Sequence, residues 1–264
     1  MNSVLPDVTF VVTPSNPKIF HRNFLASPCV ANLRADRVIL QEGYPSASLA
    51  YNDAIDKANT DLVVFAHQDV YFPEGWLSDL NRSLNVLERL DPDWGVLGGY
   101  GVNNRGLRAG FVYSVGLGVL GAAFERPVEI DTLDEYFLIV RKSSGLRFDR
   151  HLPNFHFYGT DICMTARERG KRCYAISAFS VHNTSYGTGP AGFFEGYWYI
   201  KKKWKKFLPI QTSCIRVTRW NEAVIIHHLK QAFFALLGRD MKPLPRLEDP
   251  RTVLPYAIEV ADRK

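Results

Sequence analysis

The stretch Leu62-Val63-Val64-Phe65-Ala66-His67-Gln68-Asp69 decides how this sequence folds. Five consecutive apolar residues leave no polar face, the pattern of a central strand covered on both sides. The run then ends abruptly in three polar side chains. Upstream, Val8 to Thr13 is a β-branched run halted by Pro14-Ser15-Asn16-Pro17, and Arg37-Val38-Ile39-Leu40 stops at Gln41-Glu42-Gly43. From about Ser46, Ala47, Ala50, Ala54, Ile55 and Ala58 recur three and four residues apart and predict a helix. Leu77, Leu80, Leu84 and Leu87 repeat that spacing behind Pro73, and Trp94 to Gly99 reads as another strand. Such alternation predicts a layered, mainly parallel α/β sheet. Ligands of these sheets bind beyond the carboxyl ends of the strands, where the polar clusters sit.

Glycines and short apolar pieces fill 106–129 and suggest irregular strands or a hairpin over the site. Thr132 to Val140 reads as one buried strand opening with Asp134-Glu135, and Tyr174 to Val181 as a last strand ending at His182-Asn183. Between them, Asp161 to Arg169 forms a short helix stopped by Gly170. After Pro209 the character changes. Asn221 to Leu237 is an amphipathic helix with Ile226, Leu229, Phe233 and Leu236 on one face, and a proline-rich tail from Met241 wraps the surface. The expected division is a main domain over 1–210 and a helix-and-tail extension over 211–264.

Of the 264 residues, 46% are hydrophobic and 22% charged, enough to build a full core and to exclude a disordered chain. Cys29, Cys163, Cys173 and Cys214 lack CxxC or CxxH spacing, which argues against a zinc knuckle or a disulfide scaffold. The first residues have neither a basic nor an apolar segment of the secretory kind, and no run reaches the ~20 apolar residues of a membrane span. A cytoplasmic protein is the expectation. The net charge of +5 is uneven: Lys201, Lys202, Lys203, Lys205 and Lys206 surround Trp204, with Arg216 and Arg219 following. Without an RNP-like, P-loop or Rossmann glycine motif, nucleic acid is not expected as a partner. A solvated helix face or peripheral contact with an anionic membrane surface fits the cluster.

Asp69 closes the central strand and points into the crevice, where an uncompensated carboxylate is costly. A divalent cation bridging it to a diphosphate resolves that cost; simple capping of the turn before Tyr71-Phe72-Pro73 is the alternative. His67, two residues earlier on extended chain, faces the same side. His156, Tyr158, Asp161 and His182 form a second polar set suited to Mn²⁺ or Mg²⁺ if the fold assembles them. Asp161 also suits a helix N-cap, where the helix terminus lowers its pKa. Asp134 competes with it as a general base, and His182 is alternatively a core histidine.

Five segments in register resemble the glycosyltransferase family 2-like proteins: 46–52 (SASLAYN), 64–70 (VFAHQDV), Asp134-Glu135 before an apolar strand, 156–163 (HFYGTDIC) and Val181-His182-Asn183. The match runs from about residue 8 to residue 210. It implies a GT-A-type fold with a Rossmann-like nucleotide-binding half, a nucleotide-sugar donor, a divalent metal and inversion at the anomeric carbon. Asp69 takes the last position of the family's DXD-like motif, whose first position is here His67 rather than aspartate. The implied metal ligands are Asp69, His182, His67 and His156, with Mn²⁺ or Mg²⁺ as the ion. Thr13, Pro14, Ser15, Gln41, Glu42, Asn52 and Gln68 correspond to donor-holding positions, and Asp161, or failing it Asp134, to the general base. The acceptor class is open: a glycan, a lipid-linked sugar or a protein, with peripheral membrane contact at the inner face compatible with the second. A nucleotide-sugar-binding module with a weakened metal site is the rival, and a nucleotidyltransferase fits less well because 13–18 holds one lysine and no glycine.

Overall fold

The computed structural model describes residues 5–185, 192–236 and 244–256. The N-terminal tetrapeptide, the helix end at Leu237, the tail's start at Met241, and the side chain of Leu236 fall outside the described residues.

Strands β1 (Val8–Val12), β2 (Val38–Leu40) and β3 (Leu62–Ala66) form a parallel set. The first helices are α1 (Pro17–Arg22), α2 (Pro28–Ala31) and α3 (Ala47–Lys57). Asn16 caps α1 by accepting the Ile19 N–H at 3.2 Å, and Ser46 caps α3 through Leu49 at 3.4 Å. Next come β4 (Val70–Tyr71), α4 (Trp76–Leu90), β5 (Val96–Gly98), β6 (Tyr100–Val102), β7 (Arg108–Ser114), β8 (Gly118–Gly121), β9 (Val128–Ile130), β10 (Thr132–Leu133) and β11 (Phe137–Arg141). The described part of the chain continues through α5 (Tyr158–Glu168), β12 (Cys173–Ala175), β13 (Ser180–His182), α6 (Phe193–Lys203) and α7 (Glu222–Leu236).

The main sheet has the order β2-β1-β3-β11-β5-β12-β9. β2, β1, β3, β5 and β12 run one way, and β11 and β9 the other. Its apolar strands alternate between two cores. Val63 and Phe65 pack with α3 and α5, while Val64 and Ala66 pack with α4 through Trp76, Leu80 and Leu87. Burial on both faces is why the central run carries no polar residue.

A smaller sheet, β10-β6-β7-β13-β4 with β8 on β7, stands over the carboxyl edge. Two of the runs expected as single strands cross from one sheet to the other, and a third ends where the chain makes such a crossing. The Trp94–Gly99 run is β5, and the chain passes on into β6 within two residues; Thr132–Val140 divides into β10 and β11; Tyr174–Val181 divides into β12 and β13. An apolar run shows burial but not which sheet a strand joins, so the divisions fall at polar or small residues, Gly99 and Asp134-Glu135 among them.

Asp161 differs from its expected place. α5 begins at Tyr158 behind Phe157, which takes the cap position with φ 66°. Asp161 therefore lies inside the first turn, 1% exposed, and faces α6. Its carboxylate accepts from Lys203 Nζ at 2.7 and 2.9 Å and from Trp204 Nε1 at 2.7 Å. Burial raises its pKa, outweighing the lysine; the helix terminus does not depress it. The side chain ties α5 to α6 and is not a base facing the crevice. Asp161→Ala leaves the Trp204 N–H unsatisfied, while Lys203 keeps Asp149 at 2.7 Å. The expected loss is about 2–3 kcal/mol in urea unfolding.

Candidate metal centre

The ends of β1, β2, β3, β5 and β12 share one edge, and the segment entering β11 starts there too. His67 extends the β3–β11 ladder by one step, its N–H donating to Tyr136 O at 3.0 Å. The chain then turns, with Val70 N–H donating to His67 O at 3.2 Å, and enters β4. β4 pairs with β13 so that Val70 faces His182, and Asn183 N–H donates to Asp69 O at 2.8 Å. Two sheets thus bring residues 67, 69 and 182 together.

Asp69 Oδ1 lies 3.6 Å from His182 Nε2 and 4.0 Å from His67 Nδ1. One ligand atom from each of the three lies within 4.8 Å of the other two. Hydrogen bonding fixes the His67 tautomer. Tyr158 donates its hydroxyl proton to Glu135 O at 2.9 Å, so it can only accept from His67 Nε2, at 2.8 Å. Nδ1 is left with its lone pair toward Asp69. Burial presses the His67 pKa down to about 4, so the ring is neutral at pH 7. Such outer contacts commonly orient metal-ligating imidazoles.

Burial opposes ionisation of Asp69, but His182, His67 and Arg246 outweigh it and hold the carboxyl well below the usual range. Burial likewise opposes the His182 imidazolium, yet the adjacent Asp69 carboxylate raises its pKa. His182 stacks on Tyr136, with ring centres 5.5 Å apart and planes 20° from parallel. Two imidazole nitrogens and a carboxylate oxygen can hold a divalent transition-metal ion, while Mg²⁺ prefers an all-oxygen shell.

Arg246 was not foreseen from the sequence. Its Nη2 donates to Asp69 Oδ2 at 3.2 Å, which leaves Oδ1 to the histidines. Asn183 holds its segment: Leu247 N–H donates to Asn183 Oδ1 at 2.7 Å and Asn183 Nδ2 to Leu247 O at 2.9 Å. Arg246 Nε is buried and has no hydrogen-bond partner among the described residues. Only the Asn183 that follows His182 hinted that something docks here.

Gln68 turns from the cluster to the β1 exit. Its Oε1 accepts from Ser15 N at 2.9 Å and Asn16 N at 2.8 Å, and its Nε2 donates to Ser15 Oγ at 2.8 Å. Ser15 and Asn16 therefore form one lip with Gln68, directly after Thr13 and Pro14 in the chain. Two expected donor contacts are consumed inside the fold. Gln41 Nε2 donates to Ala50 O at 3.0 Å and Asp53 Oδ2 at 2.6 Å, and Asn52 clamps Phe148 through both backbone groups at 2.8 and 3.0 Å. Glu42 is exposed. His156 contributes no ligand atom to the cluster; its ring meets Phe193 at 5.6 Å, although its charge reaches His67.

Asp134 stays near, its charge acting on His67 and His182. Its Oδ1 accepts the Tyr136 N–H at 3.2 Å. Glu135 is a second residue to which the sequence alone assigns no role, although the Asp134-Glu135 pair stands out there. Its Oε1 accepts the Gly159 N–H at 3.1 Å in the first turn of α5. Burial, then the Asp134 charge, pushes its pKa well above the usual carboxyl range.

No family model matches the chain. A protein of Fuscovulum blasticum described as ATP synthase subunits region ORF 6 is 30% identical over 153 residues, which is 56% of this chain and 61% of that protein. The chain thus spans less than two thirds of that relative's length. Among solved structures, GalNAc-T7 with UDP, GalNAc and Mn²⁺ superposes with a TM-score of 0.50 at 8% identity, over 90% of this chain and 59% of that one. S. aureus TarS gives 0.46 at 14% identity over 74% and 39% of the two chains, and A197 from STIV 0.41 at 17% over 66% and 83%. The chain has a GT-A-type fold.

The donor set sets a pH response. Below the raised His182 pKa, a proton competes with a cation for Nε2. Mn²⁺ affinity should therefore climb with pH through the range where His182 deprotonates, with proton release seen calorimetrically in buffers of differing ionisation enthalpy. Tyr158→Phe, which frees the tautomer, should weaken Mn²⁺ binding about 10-fold or more.

Proposed function

We propose that the chain is a metal-dependent glycosyltransferase that draws on a nucleotide-sugar donor. The observation that carries this reading is the His67–Asp69–His182 cluster at the sheet's carboxyl edge. GalNAc-T7, which shares the fold, was solved with UDP and Mn²⁺, and this supports a nucleotide-sugar and Mn²⁺ for this chain as well. His67, Asp69 and His182 would hold a cation, which would supply positive charge against the leaving diphosphate. Arg246, bonded to Asp69 through Nη2, adds a second, fixed charge beside the three residues. The lip of Ser15, Asn16 and Gln68 would hold the nucleotide, and His156 borders the acceptor side.

In this reading the acceptor hydroxyl attacks the anomeric carbon in one displacement, with inversion. Glu135 takes its proton, because its raised pKa makes it a stronger base than an ordinary carboxylate. The first turn of α5 positions that carboxyl through the Gly159 N–H. Asp134, the second choice of base after Asp161 in the sequence, tunes it by charge. The acceptor is a glycan, a lipid-linked sugar or a protein.

Asp69→Asn should abolish EDTA-sensitive donor turnover while circular dichroism shows the chain still folded; full activity in that variant would overturn the metal-dependent mechanism. Glu135→Gln should lower kcat by about 10²–10⁴-fold with little change in donor KM. Activity should rise with pH as Glu135 loses its proton. Asp134→Asn removes a negative neighbour that raises the Glu135 pKa, so the acidic limb of the profile should move to lower pH.

A further inference from the structure

Away from the metal centre, α7 buries Val224 in the main core but leaves an apolar stripe exposed. It meets α6 through polar and aromatic side chains: Phe194 stacks on His228 with ring centres 5.1 Å apart and lies 5.4 Å from His227. Ile225, Ile226 and Leu229, which share one helical stripe, point outward instead. Their exposure runs from 51% to 64%, and Trp220, just before the helix, is 82% exposed. Water is a poor solvent for such a stripe, and singly scattered apolar residues do not explain it.

The neighbouring surface is cationic. Trp198, Lys201, Lys202, Lys205, Lys206 and Arg219 line an open cavity of about 650 Å³. Lys201 Nζ donates to Arg219 O at 2.8 Å, which ties α6 to the segment entering α7. Lys206 pairs with Glu168, but Lys202 and Lys205 form no ion pair among the described residues. A stripe of isoleucine and leucine beside tryptophans and unpaired lysines is the make-up of a helix lying in a bilayer interface. No described helix is long and apolar enough to cross a membrane. A second copy of the chain is disfavoured as the occupant, because a two-fold contact would bring like-charged lysine clusters together.

We infer that the α6–α7 face docks on an anionic membrane surface, with Trp220 and the Ile225–Leu229 stripe entering the headgroup boundary and Lys202 and Lys205 meeting lipid phosphates. This stands independently of the catalytic reading.

The test is co-sedimentation of the full chain with vesicles of phosphatidylcholine alone or mixed with phosphatidylglycerol. Binding should require phosphatidylglycerol and weaken as salt rises. Reversing Lys202 and Lys205 to Glu should cut partitioning about 10-fold or more. Ile225→Asp with Leu229→Asp should remove it, with circular dichroism and donor turnover unchanged. Failure of the wild-type chain to bind the anionic vesicles overturns the inference. So does undiminished binding by the aspartate pair, or an aspartate pair that splits a dimer in light scattering without touching vesicle binding. Full turnover in the Asp69 variant with vesicle binding intact would count against the catalytic reading alone.

Discussion

A carboxylate out of water must be compensated, and Asp69 organises its surroundings on that condition. One oxygen is turned to two imidazoles and the other to a guanidinium. Those partners come from the turn after β3, the end of β13 and the chain's last described segment, so a single charge draws together distant parts of the sequence. Isolated ionised groups in a low-dielectric interior are heavily penalised. That penalty gives the cluster its cohesion, and it also makes the crevice attractive to a cation.

The scaffold supports this by holding the edge rigid on both sides. β3 is covered by α3 and α5 on one face and by α4 on the other, so His67 and Asp69 leave a strand with little freedom to shift. The second sheet crosses the edge and delivers His182 in register with Val70. Tyr158 then fixes His67 by its hydroxyl, and Tyr136 fixes His182 by its ring. Each ligand is thus oriented by a residue that is itself buried.

Much of this was legible in the sequence. The unbroken apolar run at 62–66 specified a doubly covered strand, and the abrupt polar exit specified where chemistry would sit. His182 needed tertiary structure, since only the β4–β13 pairing brings it to Asp69. Asp161 misled because an aspartate near a helix start suits a cap, whereas the true start lies three residues earlier and turns it inward. Gln41 and Asn52 misled for a related reason: an amide can satisfy backbone groups as readily as a ligand, and sequence does not distinguish them. Glu135 was visible but unassigned, because its raised pKa arises from burial in the folded chain and from the Asp134 charge, against the lowering pull of the N–H groups at the start of α5. Arg246 lay in a proline-rich segment whose path no periodicity reveals.

Arg246 reaches Asp69 across 177 positions. A break in the chain between His182 and Arg246, with loss of the later piece, would therefore leave the carboxylate facing its two imidazoles without the guanidinium, so the charge balance of the crevice is tied to the integrity of a segment remote from it in sequence.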